Sequence, residues 1–157
     1  MKKHTINLKL NGVAATVDVE PNDGLLEVLR DKLGVKSPKA GCERGDCGAC
    51  TVLMDGKTVR SCLILAVEAD GHSIVTVEGL SRVSLTPLQK AFIRHNSFQC
   101  GYCAPGVVLA ATELLKRNRR PTREQVQEAI AGNLCRCTGY SSIIDAVLAV
   151  SRGRGRK

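Results

Sequence analysis

The chain has 157 residues, enough for one ordinary domain or two small ones, with eight Cys, two Phe, two Tyr and no Trp. Cysteine makes up about 5% of the chain, below the level of a disulfide-stapled secreted protein, and the first residues lack the apolar run of a secretory signal. No apolar run reaches transmembrane length. We therefore expect a cytoplasmic protein with no membrane partner, whose clustered cysteines bind metal or do redox work.

The formal net charge of +8 suggests an acidic partner, but the position of several of those charges limits that inference. Four of the positive charges fall in a Gly/Arg tail, residues 152–157, which we expect to be basic and disordered. Nucleic-acid binding is disfavoured because stacking platforms need aromatic side chains, and the chain has few. We therefore expect no nucleic-acid partner.

The chain opens with a predicted hairpin and a helix. Residues 5–10 and 13–19 alternate apolar and polar side chains on either side of Asn11-Gly12, a two-residue turn signal. Asn22 or Asp23 can cap the helix that follows. The leucines of that helix share one face: Leu25, Leu26, Leu29 and Leu33.

A second predicted hairpin follows farther along the chain. Residues 51–54 and 57–62 flank Asp55-Gly56, and residues 73–77 read as one more short strand. Two strands, a helix, a loop and then more strands is the order of a ferredoxin-like β-grasp domain. The first half of the chain is therefore predicted to be a small α+β domain.

The loop between the helix and the second hairpin carries a metal-site pattern. Four cysteines stand at gaps of four, two and eleven residues, and we call Cys42, Cys47, Cys50 and Cys62 the N-terminal cysteine set. A 2Fe-2S cluster needs four thiolates, two on each iron, and the first two gaps match plant-type ferredoxins. The last gap differs, because the fourth cysteine of photosynthetic ferredoxins lies farther down the chain. Three glycines can take positive φ and bring N–H groups close to sulfur: Gly41, Gly45 and Gly48.

After residue 78 the pattern changes to helices. Thr86 and Pro87 begin a predicted helix that runs to about His95, and a second runs from near Pro105 to about Lys116. A third begins at the capping box Thr122-x-x-Gln125. The fourth carries the apolar residues of 143–150, so the second half is predicted to be an all-α four-helix domain.

The other four cysteines lie at the joints of these helices. We call Cys100, Cys103, Cys135 and Cys137 the C-terminal cysteine set. The helices that follow each pair would point the positive ends of their dipoles at an anionic cluster. The predicted domains are residues 1–79, a plant-type 2Fe-2S ferredoxin-like domain, and residues 80–151, a four-helix 2Fe-2S-binding domain, before the tail at 152–157.

Zinc and disulfides are the alternative uses of these cysteines. Zinc ribbons usually present two C-x2-C knuckles, whereas the N-terminal set has a four-residue gap and the C-terminal set combines C-x2-C with C-x-C. Disulfides are disfavoured by the missing secretory signal and the crowding of the cysteines. No nucleophile triad, phosphate loop or dinucleotide fingerprint is present, so we assign no catalytic residue in this chain.

The motifs GCERGDCGACTV with Cys62, QCGYCAPG and GNLCRCTGY resemble the small iron-sulfur subunit of the molybdenum hydroxylases. That family includes xanthine dehydrogenase, aldehyde oxidoreductase, molybdenum-type carbon monoxide dehydrogenase and 4-hydroxybenzoyl-CoA reductase. The likeness covers about residues 4–150 and departs at Ala104, where the family often has Thr. It implies a β-grasp domain followed by a four-helix domain, each holding a 2Fe-2S cluster.

The resemblance also implies ligands, cofactors and partners. The N-terminal set would bind an outer cluster and the C-terminal set an inner one, while Gln99 and Cys137 would contact a pterin. The partners would be a large subunit with molybdopterin, as its cytosine dinucleotide, and a medium FAD subunit, assembled as a dimer of heterotrimers. Electrons would pass from molybdenum through the inner and then the outer cluster to FAD.

Two other functions stay open at this point. The first is a free-standing two-cluster ferredoxin that shuttles between enzymes, and the second is a metal-storing or zinc-structural protein. A free carrier should present a charged surface around both clusters, whereas a subunit should cover the inner one with a partner. The substrate cannot be read from this chain, because the resemblance places the substrate site on the large subunit.

Overall fold

The computed structural model describes residues 3–81 and 83–153, and it confirms the predicted α+β class. The first half is built on a five-stranded sheet in the order β2-β1-β5-β3-β4. Strands β1 and β5 are parallel, and the other neighbouring pairs are antiparallel. The strands are β1 (His4–Leu10), β2 (Val13–Val19), β3 (Thr51–Met54), β4 (Lys57–Arg60) and β5 (Ser73–Val75).

Both predicted hairpins are confirmed, and their turns share one conformation. Asn11 and Gly12 have φ of 51° and 84°, and Asp55 and Gly56 have φ of 50° and 84°. Positive φ at both central residues is the type I′ arrangement, whose twist matches that of the flanking strands. The Asn-Gly and Asp-Gly pairs therefore set the register of β1 with β2 and of β3 with β4.

The first helix is shorter and differently capped than predicted. Helix α1 (Leu25–Glu27) widens into a π-helical turn, Val28–Lys32, and its N-cap is Gly24. The predicted cap, Asn22 or Asp23, is wrong. The Asp23 carboxylate instead accepts from the Glu20 N–H and pairs with Lys32, so it closes the turn before the helix.

The second half is helical, as predicted. Its elements are α2 (Val77–Leu80), α3 (Pro87–Arg94), α4 (Ala104–Arg117), α5 (Arg123–Ile130) and α6 (Ser141–Gly153). Thr86 and Thr122 each accept the N–H of the glutamine three residues on, which confirms both capping boxes. The short helix α2 was not predicted, and it ends β5 two residues early. No helix in the described ranges is long and apolar enough to cross a membrane.

The predicted tail starts inside the last helix. Helix α6 includes Arg152 and Gly153, and residues 154–157 lie outside the part of the chain that the structure describes.

The two halves have separate hydrophobic cores. One core packs the sheet against α1 around Leu25, Leu29 and Ile74. The other fills the space between the long helices around Val107, Ile130 and Ile143.

The two halves meet where their cysteine loops touch. Gly48 has φ of 72°, and a Cβ built on it would lie 2.2 Å from the Gly132 carbonyl oxygen. Gly106, at the start of α4, makes a similar close approach, because a Cβ built on it would lie 2.5 Å from the Gly48 carbonyl oxygen. Only glycine allows backbones to approach in this way. The docking of the two halves therefore depends on these glycines.

We predict that Gly48→Ala lowers the thermal unfolding midpoint of the metal-loaded protein more than Gly56→Ala does. Both changes place Ala at positive φ, for about 1–2 kcal/mol. Gly56 has open space around it, whereas the new methyl at position 48 would clash. Overpacking adds about 1–3 kcal/mol, which is several degrees of midpoint for a chain of this size. Equal midpoints for the two variants would show that the loops are not packed together as described.

Candidate iron-sulfur sites

The fold brings the N-terminal cysteine set together at one end of the sheet. Three of these cysteines lie in the loop between α1 and β3, and Cys62 lies in a 3-10 turn, Ser61–Leu63, directly after β4. The Cys50 and Cys62 sulfurs are 3.3 Å apart. Cys42 and Cys47 form the other pair, and the Cys47 N–H donates to the Cys42 sulfur over 3.4 Å.

Backbone N–H groups stabilise a thiolate at Cys42. Those of Arg44, Cys47 and Asp46 lower the pKa of Cys42 to about 7. At the other pair, burial and the neighbouring Cys50 thiol raise the pKa of Cys62 to about 11. A metal must displace the protons that these paired thiols retain, so metal binding here releases protons.

The glycines of this loop have two different roles. Gly45 and Gly48 have positive φ, of 87° and 72°, as predicted. Gly41 is not among the positive-φ glycines, so that part of the prediction is wrong. A Cβ on Gly41 would lie 2.9 Å from the Cys47 sulfur, so the close approach of sulfur explains the glycine there.

The C-terminal cysteine set is gathered by the ends of three helices. Cys100 and Cys103 precede α4, while Cys135 and Cys137 lie in the turn between α5 and α6. The sulfurs of Cys100 and Cys137 are 3.7 Å apart. Cys103 and Cys135 form the second pair, because they lie close enough for the Cys135 thiol to raise the pKa of Cys103. This set is therefore also arranged as two pairs.

The two pairs of the C-terminal set differ in burial and hydrogen bonding. Burial and the Cys135 thiol raise the pKa of Cys103 to about 12. Burial opposes ionisation of Cys135, but hydrogen bonds from the Thr138 hydroxyl and the Cys137 N–H lower its pKa. The Cys100 thiol raises the pKa of Cys137. Cys100 and Cys137 are exposed, whereas Cys103 is buried.

Paired sulfurs fit a binuclear cluster. Two thiolates on one tetrahedral metal, with metal–sulfur bonds near 2.3 Å, lie about 3.7 Å apart. The measured separations of 3.3 and 3.7 Å are close to that value. In residues 3–81 and 83–153, no group of three or more Cys, His, Asp or Glu side chains could hold a single metal ion. Two pairs in each set would supply the donors that a 2Fe-2S cluster needs, two for each iron.

The structure places Gln99 at the edge of the C-terminal set. Its Nε2 donates to the Cys137 carbonyl over 3.1 Å, so the two residues predicted to contact a pterin are in contact with each other. Both side chains belong to exposed residues. In this geometry Gln99 satisfies a backbone carbonyl of the cysteine turn and remains accessible from outside.

Three residues that sequence reasoning did not single out organise the two loops. Tyr140 holds the C-terminal turn, because its hydroxyl accepts the Cys135 N–H and donates to the Asn133 carbonyl. Asn133 and Arg60 bridge to the other loop. Asn133 and Tyr140 lie within the motif GNLCRCTGY, but a polar residue in a turn does not by itself indicate which group it binds. A single arginine, Arg60, before Cys62 gives no indication of its partners either.

Comparison with known proteins agrees with this geometry. Residues 8–74 match a family described as the 2Fe-2S iron-sulfur cluster binding domain, and residues 76–148 match one described as the 2Fe-2S binding domain. The nicotine 6-hydroxylase small subunit of Paenarthrobacter nicotinovorans is 52% identical over 97% of this chain and 92% of its own length. The chain belongs to the small iron-sulfur subunits of the molybdenum hydroxylases.

Two further relatives support this membership. The nicotinate dehydrogenase small FeS subunit of Eubacterium barkeri is 48% identical over 94% of each chain. A chain of quinoline 2-oxidoreductase from Pseudomonas putida 86 superposes with a TM-score of 0.94 at 46% identity, over 99% of this chain and 98% of that one. The protein is therefore the electron-transfer subunit of a multi-subunit oxidoreductase, with two 2Fe-2S-binding domains and its substrate site on another subunit.

We predict that Thr138→Val lowers the midpoint potential of one 2Fe-2S signal and leaves the other unchanged. The Thr138 hydroxyl donates to the Cys135 sulfur over 3.2 Å. This bond favours the more negative, reduced state by on the order of 1 kcal/mol, which is about 40 mV for a one-electron couple. Thr138→Ser keeps the hydroxyl and should behave as wild type in a redox titration followed by electron paramagnetic resonance. A shift of both signals, or of neither, would contradict the placement of Thr138.

Proposed function

We propose that this chain carries electrons from a molybdenum-pterin site on a large subunit to FAD on a medium subunit. In this proposal the C-terminal cysteine set ligates the inner cluster and the N-terminal set the outer one. Bound there, the two clusters supply one-electron redox centres. The chain's own residues hold the thiolates in pairs and aim N–H and hydroxyl donors at sulfur, which favours the reduced state.

The surface around the C-terminal set carries this proposal. Cys100 and Cys137 are exposed together with two large neighbours, since Leu134 is 56% exposed and Tyr102 is 45% exposed. A free carrier would leave this partly apolar face in water, whereas a large subunit would cover it. The exposed Gln99 beside Cys137 would then meet the pterin. The free-standing ferredoxin is the less favoured function for this reason.

The relatives' names extend the proposal to substrate class. Nicotine, nicotinate and quinoline all contain a nitrogen heteroaromatic ring. We propose that the complete enzyme hydroxylates or oxidises such a ring, with molybdopterin as its cytosine dinucleotide, in the cytoplasm. The proposed assembly is a dimer of heterotrimers. We retain residues 1–79 and 80–151 as the proposed domains, because each contains one core and one cysteine set.

We predict that Cys62→Ala and Cys135→Ala each remove a different paramagnetic signal from the reduced complex. The wild-type chain should hold about four irons and four acid-labile sulfides, and each variant about two of each. The two sets lie in differently buried surroundings, so their signals should differ in line shape and potential. Loss of both signals from either variant while the chain stays folded, or zinc in anaerobically prepared protein, would refute the ligand assignment.

We predict that Gln99→Ala leaves iron and sulfide unchanged but weakens pterin retention or slows reduction of the inner cluster by substrate. An unpaired pterin edge would cost about 1–3 kcal/mol of cofactor binding. Gln125→Ala is a matched control, since Gln125 caps α5 away from both cysteine sets. The measurement is the rate at which substrate reduces the inner cluster after rapid mixing with the assembled enzyme. Full pterin occupancy and wild-type rates in Gln99→Ala would contradict the pterin contact and leave Gln99 only its structural bond to the Cys137 carbonyl.

A further inference from the structure

The two cysteine sets are joined by a direct hydrogen bond between their backbones. The Leu134 N–H donates to the Cys47 carbonyl over 2.9 Å. Leu134 immediately precedes Cys135, so the bond connects a residue of the N-terminal set with the neighbour of a residue of the C-terminal set. Four covalent bonds lead from the Cys47 sulfur to its carbonyl oxygen, and six lead from the Leu134 nitrogen to the Cys135 sulfur.

This connection is short for two sites in different halves of a protein. Electronic coupling decays less steeply through covalent and hydrogen bonds than across a gap between atoms. Tyr102 makes another bridge between the loops, because its hydroxyl donates to the Ala40 carbonyl over 2.6 Å. That route crosses the whole Tyr102 side chain and then two more residues before Cys42, so it is much longer.

Asn133 helps to fix the Leu134–Cys47 bond. It is only 2% exposed, and its Nδ2 donates to the Gly48 carbonyl and to Thr51 Oγ1, each over 3.0 Å. Asn133 precedes Leu134, and Gly48 follows Cys47. Residues 133 and 134 are therefore paired with residues 48 and 47, one contact through a side chain and one through the backbone.

Arg60 also holds this pair of loops together. Its guanidinium donates to the Gly132 carbonyl over 2.7 Å, to Thr51 Oγ1 over 2.8 Å and to the Gly45 carbonyl over 3.3 Å. Gly45 belongs to the N-terminal cysteine loop, and Gly132 precedes the C-terminal one. A planar fork can serve several carbonyls at fixed angles, which a lysine cannot do. Neither Arg60 nor Asn133 has a role as a cluster ligand.

We propose that the Leu134–Cys47 hydrogen bond is the route of electronic coupling between the two clusters, with Asn133 and Arg60 as the positioning residues that hold it. The proposal rests on the ligand assignment of the proposed function. One electron leaves the reduced inner site and reduces the outer site, with no bond made or broken and no proton transferred. The contact that docks the two halves is thus also the contact that couples the two clusters electronically.

The test compares three variants in the assembled, cluster-loaded enzyme. Asn133→Ala removes the side-chain pairing, and Arg60→Lys removes the fork but keeps the charge. Glu113→Ala is the matched control, because it removes the hydrogen bond from the Thr58 N–H, which joins the two halves at a site off the proposed route. The readouts are the rate of electron equilibration between the clusters after a rapid reducing pulse and the spin–spin splitting of the two reduced signals.

We expect Asn133→Ala and Arg60→Lys to slow equilibration several-fold and to reduce the splitting, with iron content and both midpoint potentials unchanged. Glu113→Ala should match wild type in all four quantities. A merely structural role would lower the unfolding midpoint without changing the rate. Wild-type rates and splitting in folded, fully loaded Asn133→Ala and Arg60→Lys would overturn the proposal.

A backbone substitution keeps the proposal testable if those variants fail to fold. Replacing the Leu134 residue by its α-hydroxy analogue turns the amide into an ester, which removes the N–H donor and keeps the side chain. We expect the same several-fold loss of rate, and an unchanged rate would overturn the route. If the wild-type enzyme itself lacked two distinct 2Fe-2S signals, the proposed function would fail before the coupling route was tested.

Discussion

The contact between the two cysteine loops is the constraint on which the rest of the molecule depends. Gly48, Gly132 and the buried Asn133 bring two loops from separate cores within hydrogen-bonding distance. A 157-residue chain divided into two cores has little apolar surface for each, so tightly held metal centres and a close polar interface can supply missing stability. Gly48 is required both by that approach and by its positive φ of 72°.

Thiolate pairing links the fold to the chemistry. Each half gathers four cysteines from two chain segments and arranges them as two pairs, which is the donor set of a binuclear cluster. The surroundings of the two sets then differ. Cys42 is stabilised as a thiolate by backbone N–H groups, whereas Cys135 relies on the Thr138 hydroxyl. Two clusters of one type can thereby have different potentials, as a one-way electron path needs.

Sequence patterns predicted the features that local chemistry controls. The two hairpin turns and the two capping boxes depend only on neighbours within four residues: Asn11-Gly12, Asp55-Gly56, Thr86 and Thr122. The short gaps between cysteines likewise reflect single turns of the chain. The Gly24 cap was missed because Lys32, nine residues on, holds the Asp23 carboxylate away from the helix start. Helix α2 was missed because its four residues are too few to show a helical period. Arg60 and Asn133 were missed because their partners lie on other segments, and one sequence without structure does not reveal such pairs. The Tyr140 hydroxyl bonds within its own turn, where a tyrosine has no distinctive spacing.

The central claim is that this chain carries electrons between a molybdenum-pterin subunit and a flavin subunit. The most direct measurement is to isolate the chain with its native partners and quantify iron, flavin and pterin, then add a nitrogen-heteroaromatic substrate anaerobically. The account predicts about four irons per small chain, one flavin and one pterin, and the appearance of both reduced 2Fe-2S signals on substrate addition. A chain that purifies alone, or a complex whose two cluster signals stay silent while substrate is consumed, would contradict it.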